Sequence, residues 1–249
     1  MPGILVFDLF GTLVFFDDTR VPTAQIEGRS VPMTIRDLAA LLRQWLPAIT
    51  PPAFLEELRR VSIAIGEEKR RAQVEIPSRV RFERTLVALG ADPASAFAWS
   101  VELARRHMDS LAGAVVCPPD RRDLLRELSR THRLALLSNF DCAATARRVL
   151  AQAGLDAAFD VIVISEEEGL RKPATEIFAR TCERMQAAPS RCLYIGDTLV
   201  EDIEGATRAG LSALWIHPDE TALSPALAIL PDVRELPRWL ASSRTGSGR

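Results

Sequence analysis

Apolar residues recur with two different spacings along this chain, and the change of spacing divides it into two regions. Across residues 17–113 the apolar positions recur every three or four residues, which is typical of amphipathic helices. Four helices are predicted there, starting near Thr34, Pro51, Ser78 and Asp92. The pattern of this region contains no strand signal, so the sequence predicts an all-helical domain over residues 17–113.

The rest of the chain alternates short apolar runs with amphipathic segments. Strands are predicted at Ile4–Phe7, Leu134–Leu137, Val161–Ile164, Leu193–Ile195 and Leu211–Ile216. Short apolar strands separated by helices are typical of a parallel sheet covered on both faces. The predicted fold class is α/β, with a doubly wound parallel sheet in residues 1–16 and 114–249 and the all-helical domain inserted after the first strand. Residues 242–249 are rich in Ser, Gly and Arg, and we expect them to form a disordered tail.

Composition and charge narrow the class of protein. The chain has 249 residues, a net charge of -2 and a pI of about 6.0, whereas nucleic-acid binders are usually basic. Its apolar runs are far shorter than the roughly 20 residues of a membrane span, and its N-terminus lacks the pattern of a signal peptide. The four cysteines form no CxxC pair, which is typical of reduced thiols. We therefore expect a cytoplasmic protein, monomeric or homodimeric, that binds neither nucleic acid nor membranes.

Candidate chemistry follows directly after the predicted strands. In a doubly wound sheet, ligands bind at the carboxyl ends of the strands. The polar residues that follow the first four strands are, in order, Asp8 and Thr12, Ser138 and Asn139, Lys172, and Asp197 with Asp202. Because parallel strands end at the same edge, we expect these side chains to lie close together.

A carboxylate, a hydroxyl and an ammonium at one sheet edge are suited to phosphoryl transfer. An aspartate such as Asp8 can attack phosphorus and form an aspartyl-phosphate, which divides one difficult displacement into two. Because the carboxylate and the phosphoryl group are both anions, their approach needs a cation, and Mg²⁺ bound by Asp8 and Asp197 would supply it. Lys172 would neutralise the phosphoryl group, and Ser138 would bind phosphoryl oxygens.

Taken in order, these motifs resemble those of the haloacid dehalogenase (HAD) superfamily. The matching runs are Phe7-Asp8-Leu9-Phe10-Gly11-Thr12-Leu13, Leu137-Ser138-Asn139, Lys172-Pro173 and Ile195-Gly196-Asp197-Thr198. The resemblance implies a flavodoxin-type core, a helical cap inserted after the first motif, and Mg²⁺-dependent hydrolysis of a small phosphorylated substrate.

The resemblance also implies a role for each matched residue. Asp8 matches the nucleophile, which is also a metal ligand, and Phe10 occupies the position whose main-chain carbonyl binds the metal. Asp197 matches the acidic metal ligand of the fourth motif, and Asp202 matches an acid that supports the metal site through water. Lys172 holds the nucleophile as well as the phosphate. The residues implied in substrate binding are Thr12, Ser138, Asn139 and Lys172.

Position 10 departs from the phosphatases of this superfamily. They carry a second aspartate there, which protonates the leaving oxygen and later activates water, whereas this chain has Phe10. General acid–base assistance is commonly worth about 10²–10⁴-fold, so plain alkyl phosphates are expected to react slowly. Three interpretations follow: the substrate carries a good leaving group, as acyl and enol phosphates do; Asp17 or Asp18 replaces the missing acid; or the protein binds phosphate with little turnover.

Dehalogenases of the superfamily resemble this chain in carrying an aromatic residue at position 10. They displace halide with the same aspartate, and a carbon–halogen bond needs no protonated leaving group. They usually lack the metal-binding Gly-Asp of the fourth motif, however, whereas Gly196 and Asp197 are both present here. The sequence therefore favours a phosphatase-type hydrolase, with a dehalogenase-type hydrolase as the alternative.

Overall fold

The computed structural model describes residues 3–26, 29–35 and 37–245. Contacts along the backbone divide the chain into two units, one made of Met1–Phe16 with Val116–Arg249 and the other of Asp17–Val115. Strands in chain order are β1 (Ile4–Phe7), β2 (Phe15–Phe16), β3 (Thr23–Ile26), β4 (Arg29–Pro32), β5 (Val115–Val116), β6 (Arg133–Ser138), β7 (Val161–Ile164), β8 (Cys192–Gly196), β9 (Ser212–Ile216) and β10 (Ala228–Leu230). Helices in chain order are α1 (Leu38–Trp45), α2 (Pro51–Ala72), α3 (Ser78–Ala88), α4 (Pro93–Ala114), α5 (Arg121–Leu128), α6 (Ala143–Ala153), α7 (Ser165–Glu168), α8 (Thr175–Arg184), α9 (Gly205–Arg208) and α10 (Leu236–Thr245).

A six-stranded sheet with the order β10-β9-β8-β1-β6-β7 forms the centre of the first unit. Every neighbouring pair in it is parallel, which confirms the predicted α/β fold with a doubly wound parallel sheet. The edge strand β10 is missing from the sequence prediction, because three residues are too few to show a strand pattern. β1 lies between β6 and β8, so the residues that follow these three strands lie side by side.

Burial on both faces explains why the central strands are apolar without interruption. All residues of β1 and β8 are buried, and Ile177 and Phe178 of α8 belong to the same core cluster as Val6 and Tyr194. In the observed register, Phe7 at the end of β1 lies opposite Leu136 of β6 and Ile195 of β8. The sheet thereby fixes the points at which the chain leaves β1 and β8, directly before the candidate residues.

The second unit is mainly helical, but the prediction that it is all-helical is wrong. β3 and β4 form an antiparallel pair in which Ala24 lies opposite Val31. The strands are short and rich in polar residues, which hides their alternation from a search for apolar runs. Thr23 and Gln25 are exposed, whereas Ala24 packs against the helical core.

Capping residues explain where the helices of the second unit begin. Thr50 and Asp92 each accept a hydrogen bond from a main-chain N–H in the first turn of α2 and α4, as expected for these residue types. α1 begins at Leu38 rather than at Thr34. Asp37 has a left-handed backbone conformation with φ 58°, which is incompatible with a helix interior, so the helix cannot extend back to the predicted start.

The tail predicted to be disordered begins inside a helix. Residues 242–245 belong to α10, where the Ser242 and Ser243 hydroxyls donate to the Trp239 carbonyl oxygen at 2.8 and 2.9 Å. Serine hydroxyls satisfied in this way are compatible with a last helical turn, so the prediction is wrong for these residues. The rest of the predicted tail, 246–249, lies outside the described residues. None of the described helices has the length and hydropathy needed to cross a membrane.

Candidate active site

The Lys172 ammonium lies at the centre of the candidate site. It is buried and donates to Asp8 Oδ1 at 2.6 Å, to Asp202 Oδ1 at 2.6 Å and to the Tyr194 hydroxyl at 2.7 Å. A lysine ammonium has three N–H donors, so each donor has one acceptor. Lys172 and Asp8 are brought together as predicted, and their contact is direct.

Tyr194 belongs to this network, although the sequence analysis does not single it out. Its hydroxyl accepts from Lys172 and lies 3.0 Å from Asp202 Oδ1 and 3.1 Å from the Leu137 carbonyl oxygen, either of which can accept the phenol proton. Tyr194 is the only tyrosine of the chain, and it stands in a strand that is otherwise apolar apart from Gly196. A buried phenol usually needs a hydrogen-bond partner, and this was the available signal.

Asp202 is held from two sides. It lies in a π-helical turn, Leu199–Glu204, a conformation that is frequent at functional sites. Its Oδ2 accepts from the Thr198 N–H at 2.9 Å, while its Oδ1 faces the Lys172 ammonium. A side chain at Gly196 would place its Cβ 2.5 Å from the Asp202 carboxyl carbon, so the glycine makes room for this carboxylate.

Asp197 follows β8 and points toward the loop after β1. Its Oδ1 accepts from the Thr12 hydroxyl at 3.3 Å, and its main-chain carbonyl accepts from Trp215 Nε1 at 2.7 Å. Gly11 has φ 89°, and a Cβ there would overlap the Asp197 carboxylate. The Gly11-Thr12 pair is therefore needed both for the turn and for the position of Asp197.

Three carboxylates share this small space. One oxygen from each of Asp8, Asp197 and Asp202 lies within 4.8 Å of the others. Burial, together with the charges of Asp202 and Asp197, raises the pKa of Asp8 to about 8, against the lowering effect of Lys172. Burial and the Asp202 charge also raise the pKa of Asp197. Burial lowers the pKa of Lys172, but Asp202 and Asp8 outweigh it and raise that pKa overall. One ammonium does not balance three carboxylates, two of them buried and that of Asp197 half-buried, so the site favours a further cation.

Ser138 is the last residue of β6, and Asn139 follows it. The two side chains have different surroundings. The Ser138 Oγ is buried and has no hydrogen-bond partner among the described residues. Asn139 donates to the Lys172 carbonyl oxygen at 3.0 Å and accepts from the Lys172 N–H at 2.8 Å. It also donates to Glu201, which in turn binds Arg171. Asn139 therefore fixes the main chain of Lys172, a role that strand-end position alone does not predict.

The Phe10 ring lies between two other rings. It stacks on Phe16 with the ring centroids 5.0 Å apart, and on Phe140 at 4.6 Å. Position 10 thus presents apolar surface where an ionisable group is expected. Asp17, one suggested replacement for the missing acid, accepts a hydrogen bond from the Thr19 hydroxyl that lowers its pKa. A carboxyl whose pKa is lowered is a poor proton donor at neutral pH, so this contact weighs against Asp17.

A family model for haloacid dehalogenase-like hydrolases matches residues 3–210. The chain belongs to this family. The matched range contains Asp8, Ser138, Lys172, Asp197 and Asp202 in the order that the sequence motifs indicate.

This HAD-like hydrolase is similar in part to a curated phosphatase. N-acylneuraminate-9-phosphatase of Mus musculus is 38% identical to it over 104 residues. The alignment covers 41% of this chain and 42% of the mouse enzyme. The chain therefore spans about two fifths of that relative's length.

Solved structures resemble the HAD-like hydrolase over nearly its whole length. A 2-haloacid dehalogenase from Pseudomonas syringae pv. Tomato DC3000 has a TM-score of 0.70 and 24% identity, covering 97% of this chain and 99% of that chain. The putative HAD-hydrolase YfnB from Bacillus subtilis, crystallised bound to magnesium, has a TM-score of 0.58 and 23% identity, covering 95% and 97%. At these identities the likeness establishes the fold and not the substrate.

The HAD-like hydrolase has only two lysines, which provides a matched pair of substitutions. Lys172→Arg should lower kcat roughly 10–150-fold, because the planar guanidinium cannot direct three donors from one atom to Asp8, Asp202 and Tyr194. This range corresponds to losing one charge-assisted hydrogen bond, about 1.5–3 kcal/mol. Steady-state kinetics measure the effect, and thermal unfolding reports any loss of stability.

Lys69→Arg is the control for that variant. Lys69 lies in the other unit and pairs with the buried carboxylate of Glu75 at 2.6 Å, so the same substitution again alters a largely buried ion pair. We expect kcat to stay at the wild-type value in Lys69→Arg. Equal kcat values in the two variants would contradict a specific role of the Lys172 ammonium.

Proposed function

We propose that this HAD-like hydrolase cleaves a small phosphorylated substrate through an aspartyl-phosphate on Asp8, with Mg²⁺ as its cofactor. The observation that supports this most directly is the buried, unpartnered Ser138 hydroxyl at the end of β6, the strand beside β1. Buried polar groups are nearly always hydrogen-bonded. A donor without a partner beside a buried carboxylate is suited to binding an oxygen of the substrate.

The donor atoms fit Mg²⁺, which prefers carboxylate and carbonyl oxygens. Asp8 and Asp197 would hold the ion together with the main-chain carbonyl of Phe10. Asp202 would support the site indirectly, because both of its oxygens already accept hydrogen bonds from Lys172 and the Thr198 N–H. When bound, the ion offsets the negative charge of these carboxylates and of the phosphoryl group.

The protein's own side chains would supply the nucleophile, bind the phosphoryl group and position the lysine. Asp8 attacks phosphorus through a carboxylate oxygen, and the Lys172 ammonium favours the ionised form of that carboxyl against the effect of burial. The Ser138 hydroxyl donates to a phosphoryl oxygen, and Asn139 keeps Lys172 in place through its main chain. The similarity to the mouse phosphatase also supports a phosphate ester as the substrate class. With Phe10 in place of an acid, substrates with good leaving groups should react fastest.

Phosphate release from acetyl phosphate tests this function. We expect turnover with Mg²⁺, loss of turnover with a chelator, and restoration when Mg²⁺ is added back in excess. Mg²⁺ should also raise the melting temperature of the wild-type protein, because it binds the folded site. Asp197→Asn should lose both responses.

The dehalogenase alternative rests on Phe10 and has its own assay. Halide release from 2-chloropropionate that is insensitive to the chelator, with no phosphate release from acetyl phosphate, would replace the phosphatase proposal by this alternative. Binding of inorganic phosphate without turnover of either compound would indicate a phosphate-binding protein.

A further inference from the structure

A row of three stacked rings includes two residues that closely follow the strands ending at the candidate site. Phe10 follows Asp8 by two positions and Phe140 follows Ser138 by two, so these rings lie at the carboxyl ends of the neighbouring strands β1 and β6. Phe16 extends the row on Phe10 and is 43% exposed. All three belong to the unit that carries the candidate site.

The main chain is anchored at two residues of the row, Phe140 and Phe10. Ser165, which is buried, accepts from the Phe140 N–H at 2.9 Å and donates to the Phe140 carbonyl oxygen at 3.3 Å. The loop of Phe10 is closed by a bridge to Val14 and by the Gly11 N–H, which donates to the Val14 carbonyl oxygen at 2.8 Å. Rings carried on a main chain held in this way offer contact area that loses little conformational freedom on binding.

The ring row and the absence of an acid at position 10 both favour an aromatic leaving group. A phosphatase without a proton donor needs a leaving group that departs as an anion, and a phenolate does so far more easily than an alkoxide. The pKa of a phenol is about 10, against about 15.7 for water. An aromatic leaving group can also stack on phenylalanine rings, which a small acyl group cannot do.

We propose that the substrates are aryl phosphate monoesters, bound with the aromatic leaving group against the row Phe16–Phe10–Phe140. The inference rests on the proposed phosphatase function. An Asp8 oxygen forms a bond to phosphorus while the bond between phosphorus and the aryl oxygen breaks. The electron pair leaves with the phenolate, which takes a proton from water. A water molecule then attacks phosphorus, the bond to Asp8 breaks, and the products are a phenol and inorganic phosphate.

Four model substrates separate the effect of an aromatic ring from the effect of a good leaving group. Phenyl phosphate has both a ring and a good leaving group, benzyl phosphate has a ring only, acetyl phosphate a good leaving group only, and ethyl phosphate neither. We expect phenyl phosphate to have the highest kcat/KM. Benzyl phosphate should turn over slowly yet inhibit competitively, at least about tenfold more tightly than ethyl phosphate.

Two variants and a matched control test the ring row. Phe16→Ala and Phe140→Ala should each raise KM for phenyl phosphate and Ki for benzyl phosphate several-fold to about tenfold, with KM for acetyl phosphate unchanged. Phe97→Ala is the control, because Phe97 is 51% exposed and lies in the other unit; it should change none of these constants. Melting temperatures identify any variant that fails to fold, and Phe16→Leu then keeps the apolar volume while removing the ring.

The outcomes distinguish this inference from the function on which it rests. If acetyl phosphate is hydrolysed but phenyl phosphate has no advantage, or the ring variants leave its KM unchanged, the aryl inference is wrong and the phosphatase function stands. If neither acetyl phosphate nor phenyl phosphate is hydrolysed with Mg²⁺ present, the phosphatase function itself is wrong.

Discussion

Asp8→Asn should reduce the hydrolysis of acetyl phosphate and phenyl phosphate to the background rate, a loss of about 10⁴-fold or more, as expected when a nucleophile is removed. Asparagine has nearly the size of aspartate, and its amide oxygen can still accept from the Lys172 ammonium, which lies 2.6 Å from Asp8 Oδ1. The contact survives, but the amide cannot form an acyl phosphate. Initial rates with Mg²⁺ measure the loss.

Loss of activity in this variant would not come from unfolding. Without a bound metal ion, burial and repulsion by Asp202 and Asp197 disfavour the charged form of Asp8, against the opposing effect of Lys172. A neutral amide relieves that repulsion, so the melting temperature without Mg²⁺ should be equal to or above that of the wild type. The wild type should carry phosphate that remains after rapid acid quenching with substrate, and Asp8→Asn should carry none. Residual turnover above about 1% would show that water attacks the substrate without an enzyme-bound intermediate.

Strand-end residues were predictable because the sheet itself determines their position. Once β1, β6 and β8 are recognised as buried parallel strands, Asp8, Ser138 and Asp197 must lie at one edge. Lys172 does not directly follow a strand, since α7 lies between it and β7, but its ammonium contacts Asp8 as expected. The sequence signal was strong here because continuous apolar runs and polar residues directly after them are local features.

Other parts of the site depend on contacts between distant segments. Tyr194 lies inside a strand, and only the three-dimensional arrangement reveals that its hydroxyl meets Lys172 and Asp202. Asn139 is predicted at the site, yet its contact with the main chain of Lys172 depends on how two loops meet. Phe10 was recognised as a departure, but its stacking on two other rings could not be read from its position.

The elements that sequence analysis missed share a weak local pattern. β10 has three residues, and the β3–β4 pair alternates small and polar residues without an apolar run. Each gains stability from pairing with a partner strand rather than from its own composition. Short strands of this kind are set by tertiary context more than by propensity.

Phe10→Asp should have the opposite effect to Asp8→Asn, since it is expected to increase activity toward alkyl phosphates. An aspartic acid at this position can protonate the leaving oxygen and then activate water, and such assistance is worth about 10²–10⁴-fold. We expect kcat for ethyl phosphate and benzyl phosphate to rise within that range. Phenyl phosphate should gain nothing in kcat/KM, because its leaving group departs without a proton and kcat/KM does not include hydrolysis of the aspartyl-phosphate.

The same substitution removes the middle ring of the row Phe16–Phe10–Phe140. KM for phenyl phosphate should therefore rise, and so should Ki for benzyl phosphate, measured as a competitive inhibitor in initial rates. Phe10→Asn is the matched control, because asparagine has the size of aspartate but carries no transferable proton. The asparagine variant should reproduce the rise in KM without any gain in kcat on ethyl phosphate. A Phe10→Asp protein that is folded, still binds Mg²⁺ and hydrolyses ethyl phosphate no faster than Phe10→Asn would show that a proton donor at position 10 does not limit this chemistry. In that case the ring at position 10 acts on substrate choice alone, and the low reactivity toward alkyl phosphates must arise at another step, such as release of phosphate from Asp8.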